Sequence, residues 1–311
     1  QELAVTKPTD ATVADYLGGN PSAADEKRIK WTSTLQSRLA RNQSVAFDPS
    51  GVRSASYRPF SVQWAYFNDA LNHRCGELRA MFPTPNHCNF GMVVMGPRPA
   101  AEFAAVMTNR MPDVALFVYT TQFFPRWTYR LAMDDGTLDF TGDDDVDEWG
   151  YRRVDNISDQ ILATYRAAVG EWVSKDDIFY YVYGILHDPG FRSRYAADLE
   201  KMLPHIPEPE NLDRFQLVAD IGRQLADLHI GYEEVEPYPL DVQLRPGVSA
   251  SNRETWRVAK MKWKSKTDHS AVVYNAAVTV AGIPNTAHDY MLGSRTALEW
   301  LIDRYQVKTD K

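Results

Sequence analysis

Residues 174–207 read SKDDIFYYVYGILHDPGFRSRYAADLEKMLPHIP, and their spacing decides the fold class. Phe179, Val182, Tyr183 and Leu186 recur at i, i+3, i+4 and i+7, which lays them on one face of a helix. Ser174 with Asp177 three residues later has the form of a capping box at that helix start. Helical patterning extends from about residue 158 to residue 232, and His229 falls beside Leu225 and Leu228 on an apolar face, as a hydrogen-bonded core histidine does.

On both sides of this block the pattern turns to strands. Upstream, SYRPFSVQWAYF (56–67), NFGMVVMG (89–96) and DVALFVYTTQFF (113–124) are rich in β-branched and aromatic residues, whereas AAEFAAVMTN (100–109) reads as a short helix. Downstream, DVQL (241–244), RVAKMKW (257–263) and AVVYNAAVTV (271–280) are strand candidates. The chain closes on a helix with Leu298, Leu301, Ile302 and Tyr305 on one face. The expected class is α+β: a mixed sheet region, a central helical block, and a C-terminal β-hairpin or sheet with a helix. Four segments follow, at 1–45 (linker, then a helix from about Lys27 stopping near Asn42), 46–150 (an α/β subdomain), 151–238 (helical) and 239–311 (β-rich).

With 311 residues and 44% hydrophobic positions, the chain can bury a substantial core. No apolar run approaches the roughly 20 residues of a membrane helix. A start at Gln1 with no signal-peptide pattern suggests a cut fragment, and only two cysteines, Cys75 and Cys88, fit a reducing cytoplasm. The formal charge of -7 argues against a uniformly basic nucleic-acid binder, but the charge is unevenly placed. Arg245, Arg253, Arg257, Lys260, Lys262, Lys264 and Lys266 face only Glu254 within 245–266, a local +6. Residues 25–58 carry +4, while 134–148 hold eight acidic residues and no basic one.

Missing motifs narrow the chemistry. There is no G-x-x-x-x-G-K-[ST] loop to cradle a nucleoside triphosphate, no Asp/Asn-Pro-Pro-aromatic tetrapeptide for amino-methyl transfer, no G-x-S-x-G elbow and no H-E-x-x-H pair. No catalytic residue is expected. His73, Cys75, His87 and Cys88 offer zinc donors at poor spacing, since adjacent His87 and Cys88 diverge. Asp143, Asp145 and Asp147 begin like a calcium loop, but Glu148 stands where Gly is needed and Val154 where the bidentate Glu belongs. Neither group is expected to bind metal.

The basic, aromatic-bearing segment 253–266, RETWRVAKMKWKSK, is the strongest DNA candidate, because Lys and Arg neutralise phosphates and Arg forks onto guanine. A lysine-protected sheet edge explains the same residues equally well. Arg126, Arg130, Arg152 and Arg153 flank the acidic loop and rank second, as phosphate contacts or as partners of nearby aspartates.

SYRPFSVQWAYF, SKDDIFYYVYGILH, Arg194-Tyr195, ADLEKMLPHIP, VVYN, GIP and ALEWLIDRYQV, in this order, resemble the C-terminal specificity region of the type ISP restriction-modification enzymes, large single polypeptides joining nuclease, helicase, adenine methyltransferase and target-recognition parts. Ser61 departs from the acidic residue usual after YRPF. The resemblance implies a non-enzymatic target-recognition fragment. Its implied partners are double-stranded DNA and the methyltransferase and helicase parts of the same polypeptide. It carries no cofactor of its own; ATP, magnesium and S-adenosylmethionine belong to the parent enzyme. The shared blocks read as framework, so no base contact transfers with them. The alternative is a structural coupler that docks on the methyltransferase and helicase without reading bases, and an independent enzyme is the third reading.

Overall fold

A computed structural model describes residues 30–41, 43–72, 75–98, 102–132, 145–258 and 260–307. The expected linker before residue 24, the helix start at Lys27, Asn42, His73 and most of the acidic loop, Asp143 included, lie outside these residues. The chain forms two compact units, Gln1–Ser54 with Trp64–His87, and Ala55–Gln63 with Cys88–Lys311.

In the first unit, α1 (Ser33–Ala40) begins at Thr32, whose hydroxyl accepts from Leu35 N at 3.3 Å. Asp48 caps a short 3-10 turn, Pro49–Gly51. The chain then enters β1 (Val52–Arg58) and β2 (Ser61–Tyr66), along which it passes into the second unit and back. Gly51 has no room for a side chain, since a Cβ there meets the Tyr66 ring at 2.8 Å. A short helix, α2 (Leu78–Met81), follows.

The second unit is built around a three-stranded antiparallel sheet of β3 (Gly91–Met95), β4 (Ala105–Thr108) and, beyond the two-residue strand β5 (Met111–Pro112), β6 (Thr121–Pro125), with β3 central. β5 pairs in parallel with β1. β3 reads as an unbroken apolar run because both of its faces are covered. Met92 and Val94 pack with Met107, Phe179, Tyr183 and Ala226, while Val93 and Met95 pack with Leu116, Leu292 and Trp300. The same double burial corrects the expected helix over 100–109. Ala104 and Ala105 are completely buried, and Ala105–Thr108 pairs along β3 as β4. The expected strand over 113–124 is likewise shorter, because Asp113 folds its successors into turns, accepting from Ala115 N at 2.7 Å, and Val118 takes a φ of 72°.

β7 (Trp127–Leu131) and β8 (Tyr151–Asp155) form a hairpin enclosing the acidic loop. The helical block follows as α3 (Asp159–Val169), α4 (Lys175–His187), α5 (Pro189–Arg194), α6 (Ala196–Leu199) and α7 (Leu212–Ile230). The capping box at Ser174 and Asp177 is present in both directions. Asp188 ends α4, and its carboxylate starts α5 by accepting from Gly190 N at 2.7 Å. α4 and α7 cross where two glycines meet. A Cβ on Gly222 stands 2.0 Å from the Tyr180 carbonyl oxygen, and one on Gly184 stands 2.4 Å from that of Val218.

The C-terminal sheet runs in the order β10-β11-β12-β9, from β9 (Asp241–Leu244), β10 (Lys262–Trp263), β11 (Ala271–Val273) and β12 (Val278–Ala281). β13 (Met291–Leu292) and β14 (Arg295–Thr296) lead into α8 (Ala297–Arg304), which Thr296 and Glu299 cap reciprocally. AVVYNAAVTV is two strands and a turn, because Asn275 Oδ1 accepts from Ala277 N at 2.7 Å and Val278 N at 2.9 Å. RVAKMKW shrinks to the two residues of β10. A 3-10 turn, Arg253–Trp256, comes just before it, and Arg257 closes that turn instead of pairing in the sheet. Mixed helices and several small sheets bear out the α+β class. No described helix is long and apolar enough to cross a membrane.

Candidate nucleic-acid interface

The start of the basic segment, residues 254–257, is held by hydrogen bonds to its main chain and from its Thr255 and Trp256 side chains. Asn252 Oδ1 accepts from Glu254 N at 3.0 Å and starts the turn. Buried Thr255 donates its hydroxyl to Ser249 O at 2.8 Å, and Trp256 donates its ring N–H to Ala250 O at 2.8 Å. From the neighbouring β11–β12 turn, Tyr274 donates its hydroxyl to Trp256 O at 2.8 Å, and Asn275 Nδ2 donates to Thr255 O at 2.8 Å and Arg257 O at 3.1 Å. With its oxygen on two backbone N–H groups and its nitrogen on two carbonyls, Asn275 has one amide orientation that satisfies all four.

On this frame Arg245, Arg253, Arg257, Lys260, Lys262, Lys264 and Lys266 are all exposed. Arg257 lies 3.7 Å from Glu254, and Lys264 lies 2.8 Å from Asp268. The hydrogen bonds from Lys264 and then from Ser270 hold the Asp268 carboxyl well below the usual carboxylate range. The other five enter no ion pair among the described residues. Arg245 follows β9, the strand farthest from β10, and reaches the same end of the sheet because its N–H bonds to Ala277 O at 2.9 Å. Lys262 and Lys264 alternate with Trp263, which stacks on His269 with ring centroids 4.6 Å apart. Among the described strands β10 lies at the edge of this sheet, and Lys262 and Lys264 stand along it.

The second group divides. Arg126 is only 3% exposed: Nε donates to Asp176 at 2.6 Å, a terminal nitrogen donates to Asp155 at 2.6 Å, and the guanidinium lies 3.7 Å above the Trp127 ring. Two carboxylates thus enclose the Arg126 guanidinium away from the surface, as a structural ion pair does. Burial alone raises the Asp155 carboxyl, but hydrogen bonds from Arg126 and Lys175 outweigh it and bring the pKa below its ordinary value. Arg130 and Arg152 stand directly opposite each other across β7 and β8, and Arg153 lies over the other side of the hairpin, 4.2 Å from the Trp127 ring centre. Arg130 and Arg153 are exposed, and Arg152 is half-buried.

Among the described residues, no group of three or more His, Cys, Asp or Glu side chains is placed to hold a metal. His87 Nδ1 bonds to Thr84 Oγ1 at 2.6 Å, and the Cys75 thiol donates to Asn72 O at 3.1 Å. His229 is buried, as its helical position implies, with Tyr183 OH on Nδ1 and Tyr290 OH on Nε2, the latter at 2.6 Å. Sequence reasoning placed Tyr274 and Asn275 within a framework block but did not see that they hold the basic turn. The signal was a polar Asn closing an apolar strand.

A family model, the Type ISP C-terminal specificity domain, matches residues 4–311. The chain belongs to that family. Three solved structures resemble this specificity domain. One is the ATP-dependent Type ISP restriction-modification enzyme LlaBIII bound to DNA, 29% identical with a TM-score of 0.78, covering 97% of this chain and 19% of that one. Another is a nuclease-deletion mutant of the Type ISP enzyme LlaGI in complex with a DNA substrate mimic, 34% identical with a TM-score of 0.75, covering 98% and 25%. The third is a DrdV–DNA complex, 29% identical with a TM-score of 0.76, covering 97% and 29%. The chain therefore spans about a fifth to under a third of these proteins. No curated protein gives a significant match.

Proposed function

We propose that this domain recognises a short duplex DNA target for an adenine methyltransferase and a helicase-nuclease carried on the same polypeptide. The observation that supports the reading most directly is the exposed cationic segment on a rigid underside. Seven basic side chains are exposed, with only Glu254 and Asp268 paired to them, and Tyr274 and Asn275 fix the main chain at residues 255–257 between Arg253 and the lysines. Lys and Arg at this density bind phosphates without regard to sequence, while the forked Arg253 and Arg257 are suited to base edges. On the β7–β8 hairpin, Arg130 and Arg152 on one side and Arg153 on the other supply further basic contacts. The domain performs no chemistry of its own in this reading and works in the cytoplasm. ATP, magnesium and S-adenosylmethionine serve the neighbouring parts.

A coupling role is the second reading, and a specific feature favours it. An apolar groove between the C-terminal sheet and α8, lined by Leu240, Val272, Val280, Leu298, Leu301 and Ile302, opens to solvent and is of a kind that packs against another protein surface. The two readings separate by selection from randomised duplexes followed by anisotropy titration with non-specific competitor. A reader enriches one short motif and retains it against competitor. A coupler enriches none.

A further inference from the structure

The first unit carries a cleft of about 390 Å³ whose walls include Arg38, Arg53 and Arg79 together with Ser44, Ser50 and Asn68. Two of the three guanidiniums are fixed. Arg53 donates to Phe82 O and to Pro83 O, the latter at 3.1 Å, and lies 5.2 Å from the centre of the Phe67 ring. Arg79 lies 5.6 Å from that same ring, is half-exposed, and pairs with Asp69. Asp48, the second carboxylate of the cleft, spends its oxygens on Ser50, accepting from the N–H at 2.9 Å and from the hydroxyl at 2.7 Å. Three guanidiniums against two carboxylates leave the cleft cationic.

An aromatic platform stands at its rim. Phe47 stacks on Tyr66 with centroids 5.3 Å apart and planes 19° from parallel, yet Phe47 is 71% exposed, so its outer face is open to solvent. Tyr66 ties the platform to the cleft wall, its hydroxyl accepting from Asp48 N at 2.8 Å. Trp64, two residues before Tyr66 on β2 and therefore on the same side of that strand, is 79% exposed. An apolar docking patch has no use for a cleft of guanidiniums, and an anion pocket has no use for bare rings. A nucleotide uses both, with its phosphate among the arginines and its base continuing the stack. Only an unpaired base presents a free π-face to such a ring, because in a duplex both faces are covered by neighbours.

We infer that the first unit binds single-stranded nucleic acid, with a phosphodiester in the Arg38–Arg53–Arg79 cleft and the adjoining unpaired base on Phe47. The inference rests on the first unit alone and goes beyond duplex recognition by the 245–266 segment.

The 311-residue chain is titrated with a labelled single-stranded oligothymidylate and separately with a labelled duplex, at several salt concentrations. Phe47→Ala is expected to weaken single-strand binding roughly fivefold to a hundredfold, the range found for loss of one base–aromatic stack. Phe47→Tyr retains the affinity, and duplex binding is unchanged by both. The double variant Arg38→Ala, Arg79→Ala weakens single-strand binding and flattens its salt dependence. Thermal melting of each variant identifies any loss due to unfolding, and the exposed position of Phe47 keeps that variant informative. Unchanged single-strand affinity in Phe47→Ala overturns the inference, as does displacement of the strand by inorganic phosphate as readily as by thymidine monophosphate. Charge reversal at Lys260 and Lys262 tests the duplex reading separately: loss of duplex binding with intact single-strand binding agrees with both readings, whereas loss of single-strand binding in that variant overturns this inference.

Discussion

The side-chain amide of Asn275 donates to the carbonyl oxygen of Thr255 at 2.8 Å, so a residue of the β11–β12 turn holds the basic segment twenty positions before it. A second bond from the same nitrogen to Arg257 O makes Asn275 the clamp that fixes where Arg253 and Arg257 project. Framework and variable surface thus meet at one side chain.

Asn275→Ala removes both bonds and the two that the side-chain oxygen accepts from Ala277 and Val278. We expect about 1–3 kcal/mol of destabilisation, because four backbone groups, among them the partly buried Thr255 carbonyl, lose their partner. We also expect faster amide exchange across residues 253–257 and weaker duplex binding at unchanged net charge. Denaturant melts, hydrogen exchange and anisotropy on the same variant check the three effects, and unaltered exchange there removes Asn275 as the clamp.

Gly222→Ala places a methyl group 2.0 Å from the Tyr180 carbonyl oxygen, and the helix backbone cannot yield locally. Separating α4 from α7 disturbs the core shared by Phe179, Tyr183 and Ala226. The expected cost is about 3 kcal/mol or more, at the upper end for overpacking. Chemical denaturation measures it, and a cost under about 1 kcal/mol contradicts the close crossing.

Arg126→Met distinguishes a structural arginine from a binding one. It removes the buried partner of Asp155 and Asp176, which are themselves partly exposed and of which Asp155 keeps Lys175, at an expected cost of about 1–3 kcal/mol. Duplex affinity, measured where the variant remains folded, keeps its salt slope. A reduced slope without lost stability returns Arg126 to the interface.

The buried histidines make the fold acid-sensitive. Burial, and next the Arg192 charge, push His187 down to about 4, while burial followed by the charges of His187 and Arg192 push His229 down to about 3. Both rings fold neutral, whereas the unfolded chain takes up protons on them near pH 6.5. Below that value the unfolded state binds more protons, so stability falls as pH drops from about 6.5 towards 4 and 3, by up to a few kcal/mol. His187→Gln is expected to shallow this decline, as read from urea midpoints between pH 7 and pH 4. An equally steep decline in the variant assigns the effect away from His187, but not to the Asp155 carboxyl, whose lowered pKa costs stability only below the ordinary carboxylate range.

Long periodic elements were legible in the sequence, and short ones were not. The capped helix α4 follows from Ser174, Asp177 and the spacing of Phe179 to Leu186, all local signals. β4 was misread because Ala100, Ala101, Glu102, Ala104 and Ala105 have helical composition while burial on two faces of a sheet, a tertiary fact, overrides it from Ala105 onward. β10 was overextended because alternation in RVAKMKW says nothing of the hydrogen bonds from Tyr274 and Asn275 that draw its start away from the sheet. For the candidate site, counting charge located the exposed basic segment. It could not tell Arg126 from Arg130, because only the fold brings Asp155 and Asp176 to the first and leaves the second in solvent.

Binding of duplex phosphates by the cationic segment is read most directly from the salt dependence of duplex affinity. Wild-type chain and a variant with Arg253, Arg257, Lys260, Lys262 and Lys264 each changed to Glu are titrated by anisotropy between low and physiological salt. Each phosphate contact contributes about −0.9 to the slope of log K against log salt. The account expects weaker binding in the variant and a slope shallower by about 2 to 4. Equal affinity and equal slopes in the two proteins contradict it.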